Sequence, residues 1–215
     1  MSVISVPYLD QQKKHIVLRE LSLKLNDLER HTIQTTPWPA FPYKPNVSFV
    51  VAYDKGSILL KYFVYEKSIR GLYSAPNKPV FRDSCVEFFI SFNDEENYYN
   101  IEFNCIGTCL FGFGKEKHHR EMMEEETISK IRRCVVIEHP VSDGINPIYW
   151  ELTAVIPVEV FVHHKISDLK GTRCKVNFYK CGDQSAEPHF LAWNNIVSIS
   201  PNFHLPEFFG NMHFA

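Results

Sequence analysis

The residues best suited to chemistry lie on three short runs that alternate in polarity. In SCVEFFISF (84–92), Cys85, Glu87, Phe89 and Ser91 alternate with Val86, Phe88, Ile90 and Phe92. In NYYNIEFNC (97–105), Asn100, Glu102 and Asn104 alternate with Tyr99, Ile101, Phe103 and Cys105. In CKVNFYKC (174–181), Asn177, Tyr179 and Cys181 alternate with Val176, Phe178 and Lys180. On a strand, residues two apart share a face. Each run therefore gives one apolar face and one face of carboxylate, amide and phenol groups. Such groups suit sugar hydroxyls, which both donate and accept hydrogen bonds. Glu87 and Glu102 share face parity and could also serve a sugar-active hydrolase or lyase, in the first case as a glycosidase pair. Two carboxylates on one sheet more often orient a ligand or each other, so binding is favoured over catalysis.

Other chemistries find less support. The pairs His118–His119 and His163–His164 are adjacent in sequence, so their rings diverge on a strand or a helix and chelate poorly. The six cysteines form no CxxC pair, which removes zinc-ribbon and thioredoxin-like readings. They are expected as reduced thiols in strands, with one or two disulfides as the alternative. There is no GxSxG and no glycine-rich phosphate loop. The net charge of −2 gives no general pull toward nucleic acid. The cluster KEKHHREMMEEE (115–126) reads as a solvated loop or short helix. No cofactor and no metal is expected.

The elements that must position these residues are mostly strands. Aromatic residues make up 14% of the chain, and short apolar runs are broken by turn residues. That pattern marks an all-β sandwich or barrel. Strands are expected over 48–53, 57–65, 84–92, 98–105, 108–113, 131–138, 149–156, 174–181, 190–194 and 211–214. Short helices are expected over 12–25, 117–129 and 158–164. Trp150 and Trp193 are assigned to the core. No Gly-, Ser- or Pro-rich linker divides the chain, so one domain is expected, with residues 1–45 as an N-terminal strap and 46–215 as the sandwich. No apolar run reaches the 18 residues of a membrane span, and no membrane association is expected. The start, MSVISVPYLDQQKKH, lacks a signal-peptide pattern. A full-length chain is therefore expected in the cytoplasm, and one trimmed of a leader in the periplasm or outside the cell.

Five stretches in order carry a family resemblance: DSCVEFFISF (83–92), YYNIEFNCIGT (98–108), YWELTAVIP (149–157), KVNFYKCG (175–182) and PNFHLPEFFGNMHF (201–214). Together they resemble the family-9 carbohydrate-binding modules across roughly 47–214. The resemblance implies an antiparallel, jelly-roll-like β-sandwich that binds a mono- or oligosaccharide without catalysis. It implies that two aromatic side chains, here Phe81 and Phe203, clamp a sugar unit. It places the hydroxyl-binding carboxylate at Glu87, a polar partner at Asn100 and another at Tyr179 beside Asn177. Glu102 shares the face of Glu87, Arg82 flanks Phe81, and His204 follows Phe203. The clamp positions are usually Trp in sugar-binding members, and a Phe face is smaller. Members can hold structural calcium, but Asp54 and 94–96 lack ligand spacing here. A protein partner or a second copy of the chain is the alternative occupant of the aromatic loops.

Overall fold

The structure, a computed structural model, describes residues 2–10, 17–93, 96–138 and 147–215. In chain order its elements are β1 (Val3–Val6), α1 (Leu18–Leu25), β2 (His31–Thr32), β3 (Asn46–Tyr53), β4 (Ser57–Glu66), β5 (Cys85–Phe92), β6 (Tyr98–Asn104), β7 (Cys109–Gly114), β8 (Glu121–Met122), α2 (Glu125–Ser129), β9 (Arg132–Glu138), β10 (Ile148–Pro157), β11 (Arg173–Cys181), β12 (Phe190–Ala192) and β13 (Gly210–Phe214). Two sheets form. The first runs β1-β13-β11-β5-β6-β7-β8, with β12 also paired to β11, and the second runs β2-β3-β4-β10-β9. The fold is a two-sheet β-sandwich, as the strand pattern predicts. One pairing departs from the antiparallel expectation: β1 lies parallel to β13, with Val3 opposite Asn211.

The facing apolar sides of the two sheets build the main core. Phe49 of β3 stacks on Phe178 of β11 with ring centres 3.8 Å apart, and Phe88 of β5 stacks on Phe178 at 5.0 Å. Trp150 is fully buried in this layer, and Trp193 packs against it. On the outer side of the second sheet, α1 sets Leu21 and Leu25 on Val50, Leu59 and Phe63. Five cysteines are buried, Cys134 is half-buried, and none of the six is in a disulfide.

Three expectations are revised by the structure. Residues 1–45 do more than strap the sandwich: they supply β1 to one sheet and β2 to the other. The helix expected over 117–129 is confined to Glu125–Ser129, because His119 turns the chain at a φ of 59° and β8 pairs back on β7. Over 158–164 only a 3-10 turn forms, at Val158–Val160. Of the helix expected over 12–25, residues 12–16 lie outside the described residues.

The outer face of the first sheet also departs from a simple wet face. A second apolar cluster covers much of it, built from Trp38, Val80, Phe89, Tyr98, Tyr179, Phe203 and Phe209. Sheet positions between these rings remain polar. That is why every residue of β5, including Glu87, is buried.

Candidate functional site

The covering of the outer face is incomplete, and the gap is a cavity of about 400 Å³. Its floor is the sheet itself: Glu87 from β5, Asn100 and Glu102 from β6, Leu110 from β7 and Cys181 from β11. Its walls are Phe81 from the turn before β5, Asp183 after β11, Phe190 of β12, and Pro201 to His204 from the loop before β13. The mouth carries Lys117, His118 and His119, all exposed, with Arg120 reaching inward from the same loop.

The polar floor is tightly organised. Glu87 and Glu102 are directly opposite in the register of β5 and β6, a placement in which side chains lie about 5 Å apart and like charges repel. Glu87 Oε1 accepts from the Cys181 thiol at 3.0 Å. Asn100 Nδ2 donates to Glu102 Oε1 at 2.9 Å. Arg120 Nε donates to Asn100 Oδ1 at 2.8 Å, and its other nitrogens donate to the carbonyls of Tyr98, Gly114 and Glu116. Gly112 is opposite Asn100 and leaves room for this pair: a Cβ there would lie 2.7 Å from Asn100 Oδ1. Burial raises the pKa of Glu87, and the nearby Glu102 raises it further. Burial likewise lifts Glu102 to about 7, opposed by the Asn100 hydrogen bond and Arg120. The floor is thus a pair of carboxyl groups that resist ionising together.

The residues singled out in the sequence do not all meet here. Phe81, Glu87, Asn100, Glu102, Phe203 and His204 line the cavity. Arg82 is exposed and stands outside the lining, its guanidinium 5.9 Å from the centre of the Phe81 ring. Asn177 and Tyr179 are fully buried and also outside the lining. Asn177 Nδ2 donates to the Asn194 carbonyl, and its Oδ1 accepts from the Asn194 amide, which ties β11 to the chain after β12. Tyr179 stacks under Phe203 with ring centres 4.1 Å apart and donates to the Phe203 carbonyl at 3.1 Å. Trp38 also packs on Phe203, tilted, with ring centres 5.7 Å apart. Phe203 is only 8% exposed, so it is both wall and core.

Arg120, Lys117 and Asp183 were not legible as site residues. The first two sit in a charged run that reads as solvated, and Asp183 in a turn. The one signal available was that the run follows directly on β7, at the open end of the polar face. The acidic residues considered for calcium offer little: Asp54 Oδ1 accepts from the Gly56 amide within its own turn, and Asp94 and Glu95 lie outside the described residues.

Two buried imidazoles carry a pH signature: His204 in the cavity wall, and His189 beside Lys180 in the layer between the sheets. Burial, with Arg120 nearby, lowers His204 to about 3. Burial and Lys180 do the same to His189. In the unfolded chain each takes a proton near 6.5, so the unfolded state binds more protons in this window. Stability from these groups therefore falls as pH drops from 6.5 toward 3. Glu102 and Asp183 act the other way. The folded chain holds their protons up to about 7 and 6, against ordinary values of 4.5 and 3.8, so they add stability as pH falls through those windows. Below about pH 4 the gain from Glu102 and Asp183 is complete, while the imidazole loss continues. The melting temperature of His204→Phe should fall less steeply between about pH 5 and 3 than that of the parent. Equal slopes would mean that His204 protonates within the folded state.

Residues 18–214 match the family model described as Carbohydrate-binding family 9. Among solved structures, a candidate carbohydrate-binding protein from Bacteroides uniformis is 37% identical, with 99% of each chain covered and a TM-score of 0.90. A family-9 carbohydrate-binding module from Caldicellulosiruptor kristjanssonii in complex with glucose matches at 12% identity and a TM-score of 0.65, covering 100% of this chain and 96% of that one. The same organism's module in complex with cellotriose gives 12% and 0.64, covering 99% and 93%. At that identity the likeness is one of fold. No curated protein matches the chain.

Proposed function

The chain belongs to carbohydrate-binding family 9, and on that premise we propose that the cavity on the outer face of the first sheet holds a sugar unit. The single observation that carries this is the pairing of a hydrogen-bonding floor with aromatic walls in one cavity of about 400 Å³. Glu87 and Glu102 offer acceptors, or a donor where a proton is retained, to ring hydroxyls. Phe81 and Phe203 offer apolar faces to the sugar's C–H groups. The solved modules of the same fold bind glucose and cellotriose, which makes β-linked glucose units the first ligands to try.

Isothermal titration with mono- and disaccharides tests the reading. Phe81 is half-buried and packs at the margin of the second apolar cluster, whereas Phe203 is one of its buried members, so Phe81→Ala should weaken binding about tenfold and lower the melting temperature much less than Phe203→Ala does. Phe203→Ala should do something different. It empties the space between Tyr179 and Trp38 and should cost about 3 kcal/mol of stability. If Phe203→Ala melts with the parent while Phe81→Ala unfolds, the division between clamp and core is reversed.

A second reading has one observation in its favour. The two carboxyls stand opposite each other and disfavour ionising together, so one can keep its proton while the other is charged, as an acid–base pair requires. Against it, both project from one sheet into the floor, whereas glycosidase carboxyls flank the scissile bond. Product release from a glycan panel, lost in Glu87→Gln, would decide for hydrolysis.

A further inference from the structure

We propose that the cavity floor contains a binding site for a thiophilic divalent cation, with Cys85, Cys181 and Glu87 as its ligands. Cys85 and Cys181 are direct partners in the register of β5 and β11. Glu87 is two residues beyond Cys85 on the same face. Their ligand atoms all lie within 4.8 Å of one another. Around a tetrahedral zinc ion with Zn–S of about 2.3 Å, two sulfurs stand about 3.8 Å apart. The site therefore closes with shifts of about an ångström or less.

A second observation points to a cation. Glu102 Oε2 is buried and has no hydrogen-bond partner, and its carboxyl stands opposite Glu87. A buried acceptor with nothing to accept from is costly, and a positive ion beside the two carboxyls relieves it. Cys181 and Glu87 line the cavity and Cys85 lies beside them, so an ion can reach the three ligands from solvent. Three protein ligands with one open position is the arrangement of an exchangeable zinc site. The bonds that form are two metal–thiolate bonds and one metal–carboxylate bond. The two thiol protons, and any proton still on Glu87, leave to solvent, so affinity rises with pH. The sequence hides this site because its ligands are joined by strand register and not by spacing.

The probe is Cd²⁺ alone, titrated into the reduced chain and followed by the ultraviolet thiolate-to-cadmium charge-transfer band. One equivalent should saturate the band, release about two to three protons at neutral pH and raise the melting temperature. Cys134→Ala should leave the titration unchanged. Glu87→Gln, which keeps the side-chain shape, should weaken Cd²⁺ about tenfold. Cys181→Ala should abolish the band, with circular dichroism confirming the fold. No band in the parent, or a band that survives Cys181→Ala and is lost in Cys134→Ala, overturns the proposal. If Cys181→Ala fails to fold, the Glu87→Gln titration decides: an affinity equal to the parent's removes Glu87, and with it the site. None of these readouts requires a sugar, so failure here leaves the carbohydrate reading standing.

Discussion

Replacing Lys180 with Met is expected to destabilise the chain by about 3–5 kcal/mol, the usual cost of leaving one member of a buried ion pair alone. Lys180 projects from β11 into the layer between the sheets, where it and Glu66 at the end of β4 are both fully buried. Their charged atoms are 3.1 Å apart. Glu66 Oε1 also accepts from the Trp150 indole at 2.6 Å. Lys180 donates to the Cys181 carbonyl at 2.8 Å and stands 2.7 Å from His189 Nε2. The lowered pKa of His189 agrees with this geometry. Its neutral ring carries the proton on Nδ1, 2.8 Å from the Glu187 carbonyl, and turns a lone pair toward Lys180. Methionine fills the volume but leaves the Glu66 carboxyl with no positive partner in a water-poor layer. Urea denaturation measures the loss. The double variant Glu66→Gln, Lys180→Met should recover a large part of it, since no lone charge then remains. A single variant as stable as the parent would show that water reaches this layer.

Asp83→Ala should have a comparable effect, about 3–5 kcal/mol, through a different mechanism. Asp83 is fully buried. Its Oδ2 accepts from the Leu72 and Tyr73 amides and from Asn104 Nδ2, all at 2.9–3.0 Å, and its Oδ1 pairs with Arg70. Asn104 in turn donates to the Tyr73 carbonyl and accepts from the Thr108 amide. One carboxylate thus fastens the loop before β5 to the end of β6. Alanine leaves two amides and a guanidinium without their acceptor. Because Phe81 sits just before Asp83, the cavity wall should loosen together with the fold. The same denaturation experiment tests the stability term. A loss below about 1 kcal/mol would mean that solvent replaces the carboxylate.

Much of this architecture was legible in the residues. The alternation in 84–92, 98–105 and 174–181 placed Val86, Phe88, Tyr99 and Phe178 on the inner face, where the structure has them. It also put Lys180 among apolar neighbours, a conflict that the Glu66 partnership explains. Alternation could not show what lies over the opposite face. Trp38 comes from a segment distant in sequence, and its packing on Phe203 is set by tertiary contact alone. For the same reason Asn177 and Tyr179, correctly placed on the polar face, are held under other side chains instead of facing the cavity. β1 was missed because four residues at a chain end carry too little pattern. Arg120 was missed because a charged loop gives no period from which to infer a direction.

A glycan array probed with the parent chain and with Phe81→Ala tests the central claim most directly. Retention of at least one glycan by the parent, and its loss from the folded variant, is the result required by a sugar held against Phe81 above the Glu87–Glu102 floor. An array on which the parent retains nothing, or on which both proteins retain the same glycans equally, contradicts it.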